Sequence, residues 1–598
     1  MGIGKIAVIG GFRKYPESAP HGTNHAAFTS CNGIAKWGGF AEIDVFIEHA
    51  NLASIAGHES IGLTLPEGVR TQAFELNDLV FCAGQYDAIY APGTAWLECM
   101  PHAMRPVGDV CPVVSEIDCS HHKGTWHYLL HAGLGGLVKS SDGLIFKSEA
   151  TRRVHQKVWN HWREIFALRI PFPNSLVSPN PIEADKNAHD PKLRRQTRDL
   201  LGVQEDQVVF LTFNRIEPFT KGDACSLLVA WSEIVQTTSS AVLLMCGAQA
   251  SDRMYVESVR TLAREMGVSD NFILLHNPFE LIHNARNALM SAADVFLHLS
   301  TGVEESAPLT VLQAMAHGLP PIVAGWSGMV EQVQKGVTGF VVPLVSTAAP
   351  EPQTRLFWGL ESTAANIIGS QMAIVSPGPL IDCVRGLATN RELRTRVGAA
   401  AQTFILKHRQ VRKASTERVA FVRHLAREAR ERNERAVVHV PVHLNHVVSE
   451  LAPGSELSPA TVVRLSPTKP RPSLEKWIAA RFVTAANAIL RIVETRRKTL
   501  LEIIDGIQGS FGTGDPASID CWNSELANQL RSVILRLVAG GFIEIVGTKP
   551  APGIPEHSQK ATARNGHAKS FGRGSRKNSF GNENAKSNGN QNHNSLNP

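Results

Sequence analysis

The sequence predicts an α/β protein built from two parallel-sheet domains that face a cleft. Three observations carry this. Short β-rich runs alternate with helical stretches over residues 1 to about 170, the same alternation returns after about residue 205, and a proline-rich connection separates the two. Strands that alternate with helical patterns indicate βαβ units and hence parallel sheets. Ligands of such sheets bind at the carboxyl ends of the strands.

In the first region the expected strands are Lys5–Ile9, Ile43–Ile47, Ala88–Tyr90, Val113–Glu116 and Gly143–Phe146. The connection from Ile170-Pro171-Phe172-Pro173-Asn174 to Pro191 breaks the pattern. The second region has expected strands at Val208–Phe213, Ala241–Met245, Asn271–Leu275, Val295–Leu299, Pro321–Ala324 and Gly339–Val342. Leu344 to Gln371 reads as an irregular insertion. Helical sequence resumes from about Pro379 to Arg435, and the alternating charges of Ala426–Arg432 form a solvated helix face.

Beyond residue 440, helical patterns at Leu474–Leu490, Ile492–Ile507 and Asn523–Val538 lead through Gly540-Gly541 into a strand, Phe542–Val546. This piece reads as a small helical or winged-helix-like module. The residues after it, rich in Asn, Ser, Gly and Lys, lack the large apolar groups a core requires and are expected to be disordered. The expected division is 1–175, 205–400, a helical return or linker over 401–438, the module over 440–548 and a basic tail over 549–598.

At 598 residues, 43% of them hydrophobic and 19% charged, the chain can bury several cores. Its apolar runs fall well short of the roughly 20 residues a bilayer span needs. The start, Met1 to Gly10, reads as a strand entering a Gly turn and not as a secretory signal. Nine cysteines without a C-x-x-C pair read as buried reduced thiols and not as a disulfide frame or a zinc site, so the expected compartment is cytoplasmic. From Ala551 onward seven basic residues face two glutamates, so that stretch holds five of the six net positive charges. The remaining body is close to neutral, which argues against a nucleic-acid surface over it.

The most informative stretch runs from Gly302 to Pro320. A buried strand enters a polar loop, and the loop feeds a helix with Pro308 expected at its first position and Gly318 just past its end. Glu305 thereby lies at the mouth of a helix N-terminus, where free N–H groups and the helix dipole favour an anion. Upstream, the strand ending in Phe213 is followed by Arg215 and, six residues later, Lys221: a planar fork and a point charge suited to phosphate oxygens. Downstream come Gly325-Trp326-Ser327-Gly328-Met329-Val330-Glu331 and the Gly-punctuated run from Gly336 to Pro343, which reads as hairpin or strand entry.

In this order, Arg-x5-Lys, a Glu-opened helix followed by Ala314-Met315-Ala316-His317-Gly318-Leu319-Pro320, and the later Gly-rich turn resemble the retaining GT-B glycosyltransferases of family four, the glycosyl transferases group 1. The resemblance covers about residues 205 to 345 well, and residues 1 to 170 only in general layout. It implies two Rossmann-like domains and transfer of a sugar from a nucleotide-diphosphate donor with retention of configuration. The acceptor is left open among glycans, lipids, small molecules and polypeptides.

The resemblance also implies roles. Arg215 and Lys221 match the pair that neutralises the donor diphosphate, and Glu305 the residue that binds the transferred sugar. The amides around Leu309 and Thr310 match the helix start that holds diphosphate and sugar. Asn277 lies where the family frames the nucleobase, Gly22 where its first Gly-rich loop approaches the phosphates, and Asp118 and His121 near its active-site His segment. With two basic groups and a helix N-terminus against the leaving phosphate, no metal is expected.

Two departures stand out. The family's second Glu is Gln313 here, which offers a ribose one acceptor oxygen where a carboxylate offers two. The usual Phe-Gly after the first Glu is Ala307-Pro308, and Pro308 has no N–H to donate. A binding or scaffold protein that keeps the fold without turnover therefore stands as the alternative to an enzyme.

Overall fold

In the computed structural model, residues 4–435 are described apart from 11–21, 48–68, 94–101, 120–136, 167–171, 347–361 and several shorter stretches. Beyond 435 only 461–465, 489, 498–499, 503 and 543–548 are described. The expected helices at 474–490 and 523–538, the tail and His121 therefore lie outside the described residues, isolated positions aside.

Two compact units divide the chain, one comprising 1–455 with 479–481 and the other 456–478 with 482–598. The first unit contains both parallel sheets, and the fold class read from the sequence holds. Its first sheet has seven strands: β1 (Lys5–Ile9), β2 (Glu42–Ile47), β3 (Arg70–Glu75), β4 (Ala88–Ala91), β5 (Val113–Ile117), β6 (Gly143–Phe146) and β7 (Asn174–Val177). All pairs are parallel and the order is β3-β2-β1-β4-β5-β6-β7. Helix α1 (Gly22–Trp37) follows β1, and α2 (Glu149–Phe166) follows β6.

Two of these strands were missed in the sequence. Arg70–Glu75 is polar at four of its six positions, as an edge strand allows. Asn174–Val177 lies inside the proline-rich connection, which therefore supplies the sheet's last strand before it crosses to the second domain. Its four residues are only half-buried, so they lack the apolar run that marks a central strand.

The second sheet opens after α3 (Pro191–Leu201). It comprises β8 (Val208–Phe213), β9 (Ala241–Gly247), β10 (Phe272–His276), β11 (Val295–His298), β12 (Pro321–Ala324) and β13 (Phe340–Val342), in the order β10-β9-β8-β11-β12-β13. The connecting helices are α4 (Ala224–Thr237), α5 (Arg253–Glu265), α6 (Ala285–Ala292), α7 (Leu309–Ala316) and the single turn α8 (Met329–Gln332). Alternate residues feed two cores: Val209, Leu211 and Phe213 pack on one face with Val311 and Met315 of α7, while Val208 and Phe210 pack on the other with Trp231 of α4. Strand order reverses between β8 and β11, so the loops after these neighbours open a crevice there. The Gly-rich run before β13 is a strand entry and not a hairpin, since β13 pairs parallel with β12.

The supposed irregular insertion carries structure at its ends: β14 (Leu344–Ser346) pairs antiparallel with β15 (Ala373–Val375), with α9 (Ser362–Ser370) between them. Then α10 (Pro377–Thr389), α11 (Arg391–His408) and α12 (Val411–Arg432) follow. Helix α12 returns to the first sheet, where Val419, Val422, Leu425 and Ala426 join the core of Ile6, Val8 and Val45.

In the second unit, β16 (Thr461–Leu465) pairs antiparallel with β17 (Lys498–Thr499) and with β18 (Ile543–Thr548). The strand after Gly540-Gly541 is thus present. Lys498–Thr499, expected within a helix over 492–507, is a strand instead. Lys498 is also preceded by Arg496-Arg497, so the apolar period that supports a helix lapses at this point.

Candidate active site

The ends of β8, β9 and β10 are tied together by backbone. Asn214 N donates to Cys246 O at 3.0 Å, and Asn277 N donates to Gly247 O at 2.9 Å. Gly247 is obligatory on space alone, because a Cβ there would lie 1.6 Å from Asn214 O. Asn277 holds a left-handed φ of 50°, which Asn tolerates better than most side chains. The chain leaving β8 therefore departs from a fixed point.

That chain packs next on the loop after β11. Ser300 Oγ donates to Thr220 O at 3.0 Å, and a Cβ at Gly302 would lie 2.4 Å from the same carbonyl. Glu305 N closes a turn onto Gly302 O at 3.0 Å, and Trp326 Nε1 donates to Gly302 O at 2.9 Å. This close packing delivers Lys221 to Glu305: Nζ donates to Oε2 at 2.8 Å. His298 Nε2, at the end of β11, lies 3.6 Å from the same oxygen.

Burial by itself would push the Glu305 carboxyl up. The Lys221 ammonium and His298 outweigh it and hold Glu305 well below the usual carboxylate range. Burial would likewise lower Lys221, but the Glu305 charge keeps it raised. The pair is ionised on both sides. Arg215 is half-exposed, its Nη2 3.2 Å from Glu217 Oε1, and it lines one pocket with Lys221, Asn214 and Tyr255.

Helix α7 begins one residue later than expected, because Pro308 is its cap with extended backbone (φ −60°, ψ 126°) and Leu309 is the first helical residue. A proline at the cap removes a donor from the loop but leaves the first-turn amides in place. Leu309 and Thr310 are half-buried in that first turn. Gly318 follows the helix with φ 78°, as read. Gln313 is buried on this helix, with 3% of its surface exposed.

The first domain meets this loop directly. Ser306 Oγ lies 2.6 Å from Thr151 Oγ1 and 3.2 Å from Ser148 Oγ, and Asn180 Nδ2 donates to Ala307 O at 3.2 Å. Cys119, just past β5, lies near enough to Lys221 to bear on its charge. Gly22 is the first residue of α1 and so belongs to the same carboxyl edge of the first sheet.

Beside that edge lies a charge cluster of which sequence reasoning singled out only Asp118. Glu116 contacts Lys147, Arg418 Nη1 at 3.0 Å, Ser30 Oγ at 3.1 Å and the Tyr90 hydroxyl. Asp118 Oδ1 lies 3.4 Å from Lys147 Nζ. Burial, only partly offset by Lys147, pushes the Asp118 carboxyl up to about 7. The available signal was a Lys directly after the apolar strand Gly143–Phe146, and an Arg inside the apolar stripe of α12.

The structure thus brings Lys221 to Glu305, with Arg215 lining a pocket beside Lys221, and sets Ser148 and Thr151 of the first domain against Ser306, the residue after Glu305. Asn277 sits farther along the same strand-end edge, and Gln313 one turn into α7.

Residues 194–349 match the family model of the glycosyl transferases group 1. Over 172 residues, 28% of this chain, the sequence is 30% identical to a D-inositol 3-phosphate glycosyltransferase of Corynebacterium efficiens, and over 177 residues 28% identical to that of Corynebacterium aurimucosum. The chain spans only about two fifths of the length of these curated relatives, 38% and 40%. Among solved structures it is similar to the sucrose-phosphate synthase of Thermosynechococcus elongatus, with 14% identity, a TM-score of 0.48, and coverage of 71% of this chain and 100% of that one. It is also similar to Anabaena HepE in complex with UDP-glucose, with 18% identity, a TM-score of 0.43, and coverage of 70% and 98%. The likeness to the glycosyl transferases group 1 thus falls on residues 194–349, within the second sheet domain.

Proposed function

We propose that this protein transfers a sugar from a nucleotide-diphosphate donor to an acceptor, with retention of anomeric configuration. The observation that carries the reading is the meeting of Lys221 and Glu305 at 2.8 Å beside the start of α7, with Arg215 lining the same pocket as Lys221. Cations and first-turn amides together suit a diphosphate, and a buried, ionised carboxylate suits sugar hydroxyls.

Transfer breaks the bond from the anomeric carbon to the diphosphate oxygen, and negative charge builds on the leaving group. Arg215, Lys221 and the amides of Leu309 and Thr310 stabilise that charge without having to reorganise. The acceptor oxygen bonds to the same face of the anomeric carbon. Its proton passes to the departing phosphate oxygen, so the step balances without a separate base. The two basic side chains supply the neutralisation that a metal would otherwise bring. Contact between the domains at Ser306 and Thr151 keeps water from the reacting centre.

UDP- and GDP-sugars, offered as a panel, test the reading through donor hydrolysis or transfer. We expect turnover with at least one donor, and at least a tenfold fall for Arg215→Ala and for Lys221→Ala. Near-normal rates in both variants would remove the diphosphate assignment. Nucleotide binding with no turnover from any donor would favour the scaffold reading, to which Gln313 and Pro308 lend weight.

A further inference from the structure

A second set of contacts joins the domains beside the site. Glu331, on the single turn α8 of the second domain, reaches the N-terminus of α2 in the first. Its carboxylate accepts from Glu149 N at 2.7 Å and from Ala150 N at 2.8 Å. A helix start leaves its first amides without partners within the helix, and a carboxylate there is favoured by both hydrogen bonding and the dipole. Here the carboxylate comes from the other domain, 182 and 181 residues away in sequence. The same turn of α2 supplies Thr151, whose hydroxyl meets Ser306, and Ser148 immediately before it.

The space between is filled. A Cβ at Gly328 would lie 2.3 Å from Ser306 O and 2.4 Å from Ser148 Cβ. The α8 turn, the Ser306–Ala307 segment and the start of α2 are therefore packed as one block. Glu305 is the residue just before that block, and Leu309 begins α7 two residues after it.

We propose that Glu331 is a positioning residue: by capping α2 across the domain boundary it clamps Ser306–Ala307 and so sets Glu305 and the first turn of α7. Its catalytic consequence rests on the proposed glycosyl transfer, but the clamp itself can be read without turnover. Amide hydrogen exchange of the full-length protein reads it, with Glu331→Ala compared to Glu331→Gln.

In Glu331→Ala we expect the amides of Glu149 and Ala150 to exchange at least tenfold faster than in the parent, and the segment 305–312 at least threefold faster. Residues 5–9 and 42–47 of the first sheet should be unchanged. Glu331→Gln, with one acceptor oxygen and the same shape, should fall between, and it carries the test if the alanine variant disturbs the sheet. Unchanged exchange at Glu149 and Ala150 would overturn the cap. Faster exchange there with segment 305–312 unmoved would overturn the clamp. A parent protein that turns over no donor would defeat the proposed activity and leave these exchange results standing.

Discussion

Lys221 and Glu305 are 84 residues apart in sequence and 2.8 Å apart in the folded chain. Their ionisation bears on stability as well as function. Glu305 is held below its ordinary value, so its contribution is present above the unfolded carboxylate range and is lost as pH falls through its folded value. Asp118 behaves in the opposite sense. With its folded value raised from 3.8 to about 7, stability falls as pH rises from about 4 to about 7 and stays lower above that. Asp118→Asn should therefore raise the melting temperature at pH 8 and leave it nearly unchanged at pH 4. A gain of equal size at both would sink the assignment. Gln313 gives a second test. It is buried, so a carboxylate at this position loses solvation in the unliganded protein. Gln313→Glu should lower the melting temperature without nucleotide, and should strengthen nucleotide binding if that group meets a ribose; titration calorimetry distinguishes this from simple destabilisation.

At the scale of elements, the site depends on how closely loops approach one another. The end of β9 passes so near the end of β8 that only Gly247 fits, and this contact fixes where the chain carrying Arg215 and Lys221 sets out. Gly247→Ala cannot be absorbed by a flexible side chain, because the clash is with the Asn214 carbonyl. Overpacking of this kind costs about 1–3 kcal/mol or more. Weaker nucleotide binding should accompany a lower melting temperature; a variant with parental binding would show that the strand ends do not set the cation loop. Helix starts act at the same scale. The first turn of α7 is the one the proposed function gives to a ligand, while that of α2 is capped by Glu331. Both starts follow the same chemistry of unpaired amides, and only the neighbouring elements distinguish their uses.

Across the first unit, the chain returns on itself through α12, whose Arg418 is fully buried against the first sheet. Its guanidinium meets Glu116 at 3.0 Å, Ser30 Oγ at 2.6 Å, and the Ser178 and Pro179 carbonyls at 3.1 Å each. Arg418→Met would leave those acceptors buried and Glu116 with one cation fewer, a loss of about 3–5 kcal/mol for breaking such a pair. Chemical denaturation should show that loss in the transition of the first unit. A change below about 1 kcal/mol would mean that α12 is held by its apolar face alone. No helix among the described residues is long and apolar enough to cross a membrane.

Much of this architecture was legible in the order of residues. Buried central strands such as Val208–Phe213 and Pro321–Ala324 are continuous apolar runs, and parallel sheets covered on both faces require that, so their positions could be read nearly to the residue. The Arg215, Lys221 and Glu305 spacing was likewise readable, because strand ends and helix starts place side chains locally. The edge strands Arg70–Glu75 and Asn174–Val177 were not, since exposed edges are free of the apolar constraint. Nor could sequence distance reveal that Glu331 caps α2, that Arg418 meets Glu116, or that Lys147 joins two carboxylates. Those pairings depend on which loops the fold brings within hydrogen-bonding reach. Local pattern is set by the periodicity of burial along one element, whereas charge partners are chosen by packing between elements, and only the tertiary structure decides that.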